Sequence, residues 1–139
     1  MAACATAAAG VALGCDLEIV EPRGDAFAAD YFTPEEQALI TSASADLRPR
    51  LLALLWSAKE SVLKAVHTGL RADTRSVRIE FLEASPVSSD GAWHLLRARY
   101  QALRFEGQWR ETGGLVRTFA TCNRTDRCLG TDFRPGCRH

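Results

Sequence analysis

LLALLWSAKESVLKAVH, residues 51–67, is the longest periodic stretch of the chain. At about 100° per residue, Leu51, Leu55, Val62 and Val66 fall in one stripe, flanked by Leu52, Leu54, Ala58 and Ala65. Ser57, Glu60, Lys64 and His67 fall on the far side. The spacing predicts a helix from about Pro49 to His67, with Gly69 as its C-terminal glycine. Lys59 breaks the pattern, because it lies inside the apolar stripe between Leu52 and Val66. An ammonium there either reaches outward along the surface or meets a buried anion.

Candidate anions stand upstream in GCDLE, residues 14–18. In a strand, residues two apart share a face, so Asp16 and Glu18 project together while Cys15, Leu17 and Ile19 project to the other side. Two carboxylates that close repel each other. A hard cation such as Mg²⁺, which prefers oxygen ligands, removes the repulsion; a solvated edge strand tolerates it. If the strand lies beside the helix, Asp16 or Glu18 is the natural partner of Lys59. Glu60 and Lys64 are four apart and share a helix face. They form either an ordinary surface pair, worth about 0.3–0.5 kcal/mol, or a third carboxylate for the cation together with a lysine for a phosphate.

Between these segments, YFTPEEQALITSA (31–43) carries a helix start: Thr33 as cap, Pro34 at the first helical position, and Glu36 completing a capping box. That helix is predicted to run to about Ser42, after a Pro/Gly loop at Glu21–Asp25. Upstream, Ala3–Ala7 and Val11–Ile19 read as strands around a turn at Ala9-Gly10. Downstream, Arg75–Leu82, Trp93–Phe105 and Leu115–Cys122 read as strands. Loops are expected near Ser85–Gly91 and at Gly113-Gly114, and Trp109 is assigned to the start or the loop of the last hairpin. From Asn123 the composition turns to Arg, Thr, Asp, Gly and Pro. The division expected is one domain over residues 1–122 and an irregular tail over 123–139.

The 139 residues suffice for one domain. Lysines plus arginines number 17, as do aspartates plus glutamates, a balance that argues against a general nucleic-acid binder. The apolar opening lacks the basic segment of a signal peptide and the length of a membrane span, so the chain is read as cytoplasmic. The five cysteines are odd in number and make no disulfide framework. Cys122, Cys128, Cys137 and His139 do not have the spacing of the usual zinc pairs.

GCDLE, YFTPEE, LLWSAKESVLKA and Gly69-Leu70, in that order, resemble the signature of the 4′-phosphopantetheinyl transferases across about residues 14–70. The resemblance, with the predicted elements, implies an α+β fold: a small antiparallel sheet packed against a long helix. It implies transfer of 4′-phosphopantetheine from coenzyme A to a serine of an acyl or peptidyl carrier protein, with Mg²⁺ as cofactor. Asp16, Glu18 and Glu60 match the metal ligands, and Glu60 is also the candidate base for the carrier serine. Lys64 matches the lysine on the coenzyme A phosphate, and Lys59 the lysine of the WxxKE motif, a second candidate contact for coenzyme A. Trp56 takes a packing role, and Glu36 matches a family glutamate that the capping box explains equally well. His67 stands where the family usually has glycine. It is expected to cap the helix or to touch the nucleotide.

In the two-half subclass, a serine-histidine element that contacts coenzyme A precedes the strand assigned to Ala3–Ala7, and this chain begins after it. The expectation is therefore a domain of a larger protein, such as a polyketide synthase, or a single-half enzyme that forms homo-oligomers, trimers among them. Met1–Ala9 and Leu51–Leu55 are the surfaces expected to meet another copy. Two other classes remain: a non-catalytic module that binds carrier protein, and a metal-dependent nuclease. The charge balance weighs against the nuclease.

Overall fold

The alternation of GCDLE and the periodicity of residues 51–67 set the two layers of the fold, seen in a computed structural model that describes residues 10–67, 73–81 and 91–123. Five strands form one antiparallel sheet: β1 (Val11–Ile19), β2 (Val77–Phe81), β3 (His94–Tyr100), β4 (Leu103–Thr112) and β5 (Leu115–Asn123). Their order across the sheet is β1-β5-β4-β3-β2. Strands β2 to β5 form a meander, and β1 adds antiparallel to the outer side of β5 with Asp16 opposite Thr118. Three helices precede β2: α1 (Asp25–Tyr31), α2 (Pro34–Ser42) and α3 (Arg48–Ala65). Helix α3 lies across one face of the sheet, mainly over β1 and β5. The α+β architecture is as the sequence implies.

Alternation aims Ala12 and Asp16 of β1, Val116 and Ala120 of β5, Phe105 and Trp109 of β4, and Leu96 of β3 at α3, and all are buried. Gly14 makes the closest crossing. A Cβ there would lie 1.8 Å from the Ser61 carbonyl oxygen and 2.6 Å from the Ala65 nitrogen, so only glycine lets the helix backbone come this near. The β4–β5 hairpin closes through Gly113-Gly114 at φ 57° and 76°. Two consecutive left-handed residues suit the twist of a two-residue hairpin.

Helix α2 begins as its sequence dictates. The Glu36 nitrogen donates to Thr33 Oγ1 at 3.2 Å and the Thr33 nitrogen to Glu36 Oε1 at 2.9 Å, with Pro34 in the first turn.

Several expectations are corrected. Trp93–Phe105 is not one strand: the chain reverses at Gln101 (φ 57°), and Tyr100 pairs with Leu103. Trp109 lies inside β4 and is buried. Part of the stretch read as a loop and helix lead-in forms α1, whose Phe27 and Tyr31 rings pack on Trp56 at 5.1 and 5.0 Å. Leu51–Leu55 offer no surface to another copy, since each is at most 6% exposed within the chain's own core. Helix α2 packs against α3, and the rings of α1 pack on Trp56. Arg75 and Ser76 belong to a 3-10 turn, Thr74–Ser76, and the strand begins only at Val77. The expectations for Ala3–Ala7, Gly69 and the tail after Asn123 lie outside the described residues.

Candidate active site

Strand β1 delivers Asp16 and Glu18 to the face that α3 crosses, and α3 presents Glu60 and Lys64 one turn apart at the same edge. Lys64 Nζ lies 2.6 Å from Asp16 Oδ1. The Asp16 carboxylate is buried, whereas the lysine side chain is half exposed. Asp16 Oδ2 is buried without a hydrogen-bond partner. Burying an acceptor this way is costly, and a cation or a donor would relieve it.

Glu18 and Glu60 lie within electrostatic reach of Asp16. Burial, then the charge of Asp16, then the hydrogen bond that a protonated Glu18 makes to Asp16, with Glu60 adding to them, raise Glu18 to about 7 against the opposing pull of Arg23. A proton on Glu18 would give Asp16 the donor it lacks. Burial and the Asp16 charge likewise raise Glu60, with Lys64 opposing. For Lys64 the largest single influence, burial, pushes downward. The hydrogen bond and charge of Asp16, joined by Glu60 and Glu18, outweigh it and hold the ammonium above its ordinary value. One lysine thus faces three acids.

Arg23 completes the setting and was hidden from sequence reading inside a Pro/Gly loop. Its guanidinium lies 3.9 Å from Glu18 and 3.5 Å from Glu21 and stacks over the Phe27 ring at 4.6 Å. The stacking needs α1, which no periodicity announced.

Lys59 pairs with neither strand acid. It is fully buried, and its ammonium contacts Glu36 Oε1 at 2.7 Å, the Thr74 carbonyl at 2.9 Å and the Val77 carbonyl. Three donors meet three acceptors, which leaves none to offer coenzyme A. The other Glu36 oxygen accepts from the Ile79 nitrogen at 3.1 Å. The expected partner is corrected for a geometric reason. Lys59 faces the β2 side of the helix, whereas Asp16 and Glu18 lie on β1 at the opposite edge of the sheet. Glu36 therefore caps α2 and neutralises Lys59 at once, a second role that the capping box concealed.

Ser57, placed by periodicity on the solvent side, is fully buried against Thr118 of β5. His67 is exposed just beyond α3 at φ 59°, with its nitrogen donating to the Lys64 carbonyl at 3.2 Å. That left-handed position follows a helix end and suits glycine best.

The donor set around Asp16 fits a hard cation: carboxylate oxygens, one of them without a partner. Among the described residues, no group of three or more His, Cys, Asp or Glu side chains is already drawn together as metal ligands. Asp16 Oδ1 is engaged by Lys64 instead. Among the described residues no helix is long and apolar enough to cross a membrane.

Residues 12–119 match the 4′-phosphopantetheinyl transferase superfamily. Among solved structures, the fold is similar to that of the Thermotoga maritima holo-[acyl-carrier-protein] synthase, with a TM-score of 0.52 and 20% sequence identity. That match covers 81% of this chain and 62% of the Thermotoga chain. No curated protein matches by sequence.

Proposed function

The chain belongs to the 4′-phosphopantetheinyl transferase superfamily, and on that premise we propose that it moves 4′-phosphopantetheine from coenzyme A to a serine of an acyl or peptidyl carrier protein. The observation that carries the reading is the cluster of Asp16, Glu18 and Glu60 around Lys64, with an orphaned oxygen on Asp16.

Asp16, Glu18 and Glu60 would hold Mg²⁺, which when bound supplies Lewis-acid polarisation of the pyrophosphate oxygens. The chain's own groups do the rest. Lys64, kept charged by its acids, exchanges Asp16 for a phosphate oxygen of coenzyme A and balances charge that develops there. Glu60, whose proton affinity is raised by burial and by the Asp16 charge, is the candidate base. It takes the proton of the carrier serine as the serine oxygen bonds to the β-phosphorus. The bond from that phosphorus to the bridging oxygen breaks, and 3′,5′-ADP leaves. His67, at the exposed end of α3, is the candidate contact for the nucleotide. Lys59 acts at a distance by tying α3 to α2 and to the start of β2.

Coenzyme A needs a second wall that one sheet and one helix do not supply. Another copy of the chain, in a dimer or trimer, or a covalently joined half within a synthase of polyketide type would provide it. We place the protein in the cytoplasm, where carrier proteins and coenzyme A meet.

The deciding experiment is mass spectrometry of an apo carrier protein incubated with the chain, coenzyme A and Mg²⁺, alongside sedimentation across a dilution series. A gain of one phosphopantetheine is expected. Carrier binding without that gain would replace the enzyme by a binding module.

A further inference from the structure

Three hydroxyls lie in the layer between α3 and β5, where apolar side chains would be the cheaper choice. Thr118 Oγ1 donates to the Ser57 carbonyl at 2.9 Å and lies 2.8 Å from Ser57 Oγ and 2.5 Å from Ser61 Oγ. Ser61 Oγ is also 3.3 Å from the Thr118 carbonyl. Ser57 and Ser61 are wholly buried and Thr118 is 3% exposed. The donor count closes: the threonine proton goes to the carbonyl, and its two lone pairs accept the two serine protons. A buried network satisfied this fully fixes one arrangement of the layers that make it.

Its place in the fold gives it a consequence. Thr118 is the cross-strand partner of Asp16, Ser61 follows Glu60 directly, and Ser57 and Ser61 bracket Glu60 on the neighbouring face of the helix. The clamp sits beside the point where Gly14 lets the Ser61 carbonyl press on β1. An apolar contact would let α3 slide or roll with little change in energy, because burial is non-directional. Three directed hydrogen bonds do not.

We infer that Thr118, with Ser57 and Ser61, is a positioning device for the active site: it fixes the seat of α3 so that Glu60 and Lys64 stand opposite Asp16 and Glu18. The inference rests on the proposed function for its chemistry, while the seat itself can be measured without a metal or a substrate.

The test compares Thr118→Val, which keeps shape and removes the hydroxyl, with Thr118→Ser, which restores it. Two readouts are taken on folded protein. Proton NMR contacts between the Gly14 Hα atoms and the Ala65 amide report the seat, and calorimetric titration with Mn²⁺ reports the acid cluster. Thr118→Val is expected to weaken the Gly14–Ala65 contact and lower Mn²⁺ affinity about tenfold, the size typical of groups that orient metal ligands. Thr118→Ser is expected to recover both. Ser61→Ala, which removes one arm, is expected to give a smaller shift in the same direction and serves where Thr118→Val does not fold. Unchanged contacts and unchanged affinity in Thr118→Val and Ser61→Ala would overturn the inference. If the unaltered chain binds no Mn²⁺ yet the seat moves in Thr118→Val and returns in Thr118→Ser, the metal reading falls and the clamp stands.

Discussion

Helix α3 carries two lysines five residues apart, and they live in opposite electrostatic worlds. Lys59 is wholly buried and fully satisfied by Glu36 and two backbone carbonyls. Lys64 is half exposed, stands among three acids, and leaves its partner's second oxygen without a donor. Burial lowers the Lys59 ammonium, with Glu36 opposing, whereas the acids around Lys64 prevail over burial and raise it. The difference teaches how to separate a structural charge from a reactive one. A buried ion pair with every donor and acceptor matched has nothing left to bind, while an incomplete one is held ready for a ligand.

The largest effect should come from breaking the satisfied pair. Lys59→Met would strand the Glu36 carboxylate in the core and is expected to cost about 3–5 kcal/mol of stability. Urea denaturation measures it. Adding Glu36→Gln should return part of the loss, because the stranded charge is then gone. A Lys59→Met chain of ordinary stability would erase the contrast between the two lysines.

Breaking the incomplete cluster should leave the fold and remove the chemistry. Asp16→Ala is expected to lower carrier modification by on the order of a hundredfold, about 2.7 kcal/mol of transition-state stabilisation. Its melting temperature should stay near that of the unaltered chain, since one of three mutually repelling acids is removed. Transfer at the original rate would show that the cluster is a surface feature.

The comparison sharpens with pH. Folding raises Glu18 from 4.5 to about 7, so the folded chain holds more protons than the unfolded one across that window. Stability should therefore fall as pH rises from 4.5 to about 7. The raised Glu60 adds to the slope. Glu18→Gln should flatten it, and Mg²⁺ should flatten it too by favouring the ionised acids. Melting curves in metal-free buffer and with saturating Mg²⁺ read both. A slope of the opposite sign would mean that partners within the chain stabilise the ionised acids.

The smallest effect is expected at the end of the helix that carries both lysines. His67 holds φ at 59°, a conformation that disfavours a side chain, so His67→Gly should stabilise the chain by up to about 1 kcal/mol. The gain is limited because glycine also loosens the unfolded chain. If the same change raises the KM for coenzyme A with kcat unchanged, His67 contacts the nucleotide in addition to ending the helix.

What the sequence determined by itself is local. The capping box of α2, the period of α3, the shared face of Asp16 and Glu18 and the turn at Gly113-Gly114 follow from neighbours within a few residues. Backbone geometry alone sets which side chains lie together at that range. The resemblance of its motifs led to the family, because motif order survives where overall identity does not. Only the tertiary structure decided which acid met Lys59, since both Glu36 and the strand acids satisfy the chemistry and the order of the strands chooses between them. The same holds for Ser57, which a helical wheel turns to solvent and the sheet covers, and for Leu51–Leu55, all of which the fold buries. It holds equally for Arg23, whose place beside Glu18 depends on a short helix with no apolar period. Periodicity tells a residue which way it points along its own element. It cannot tell it what will be waiting there, because that depends on contacts made by chain segments tens of residues away.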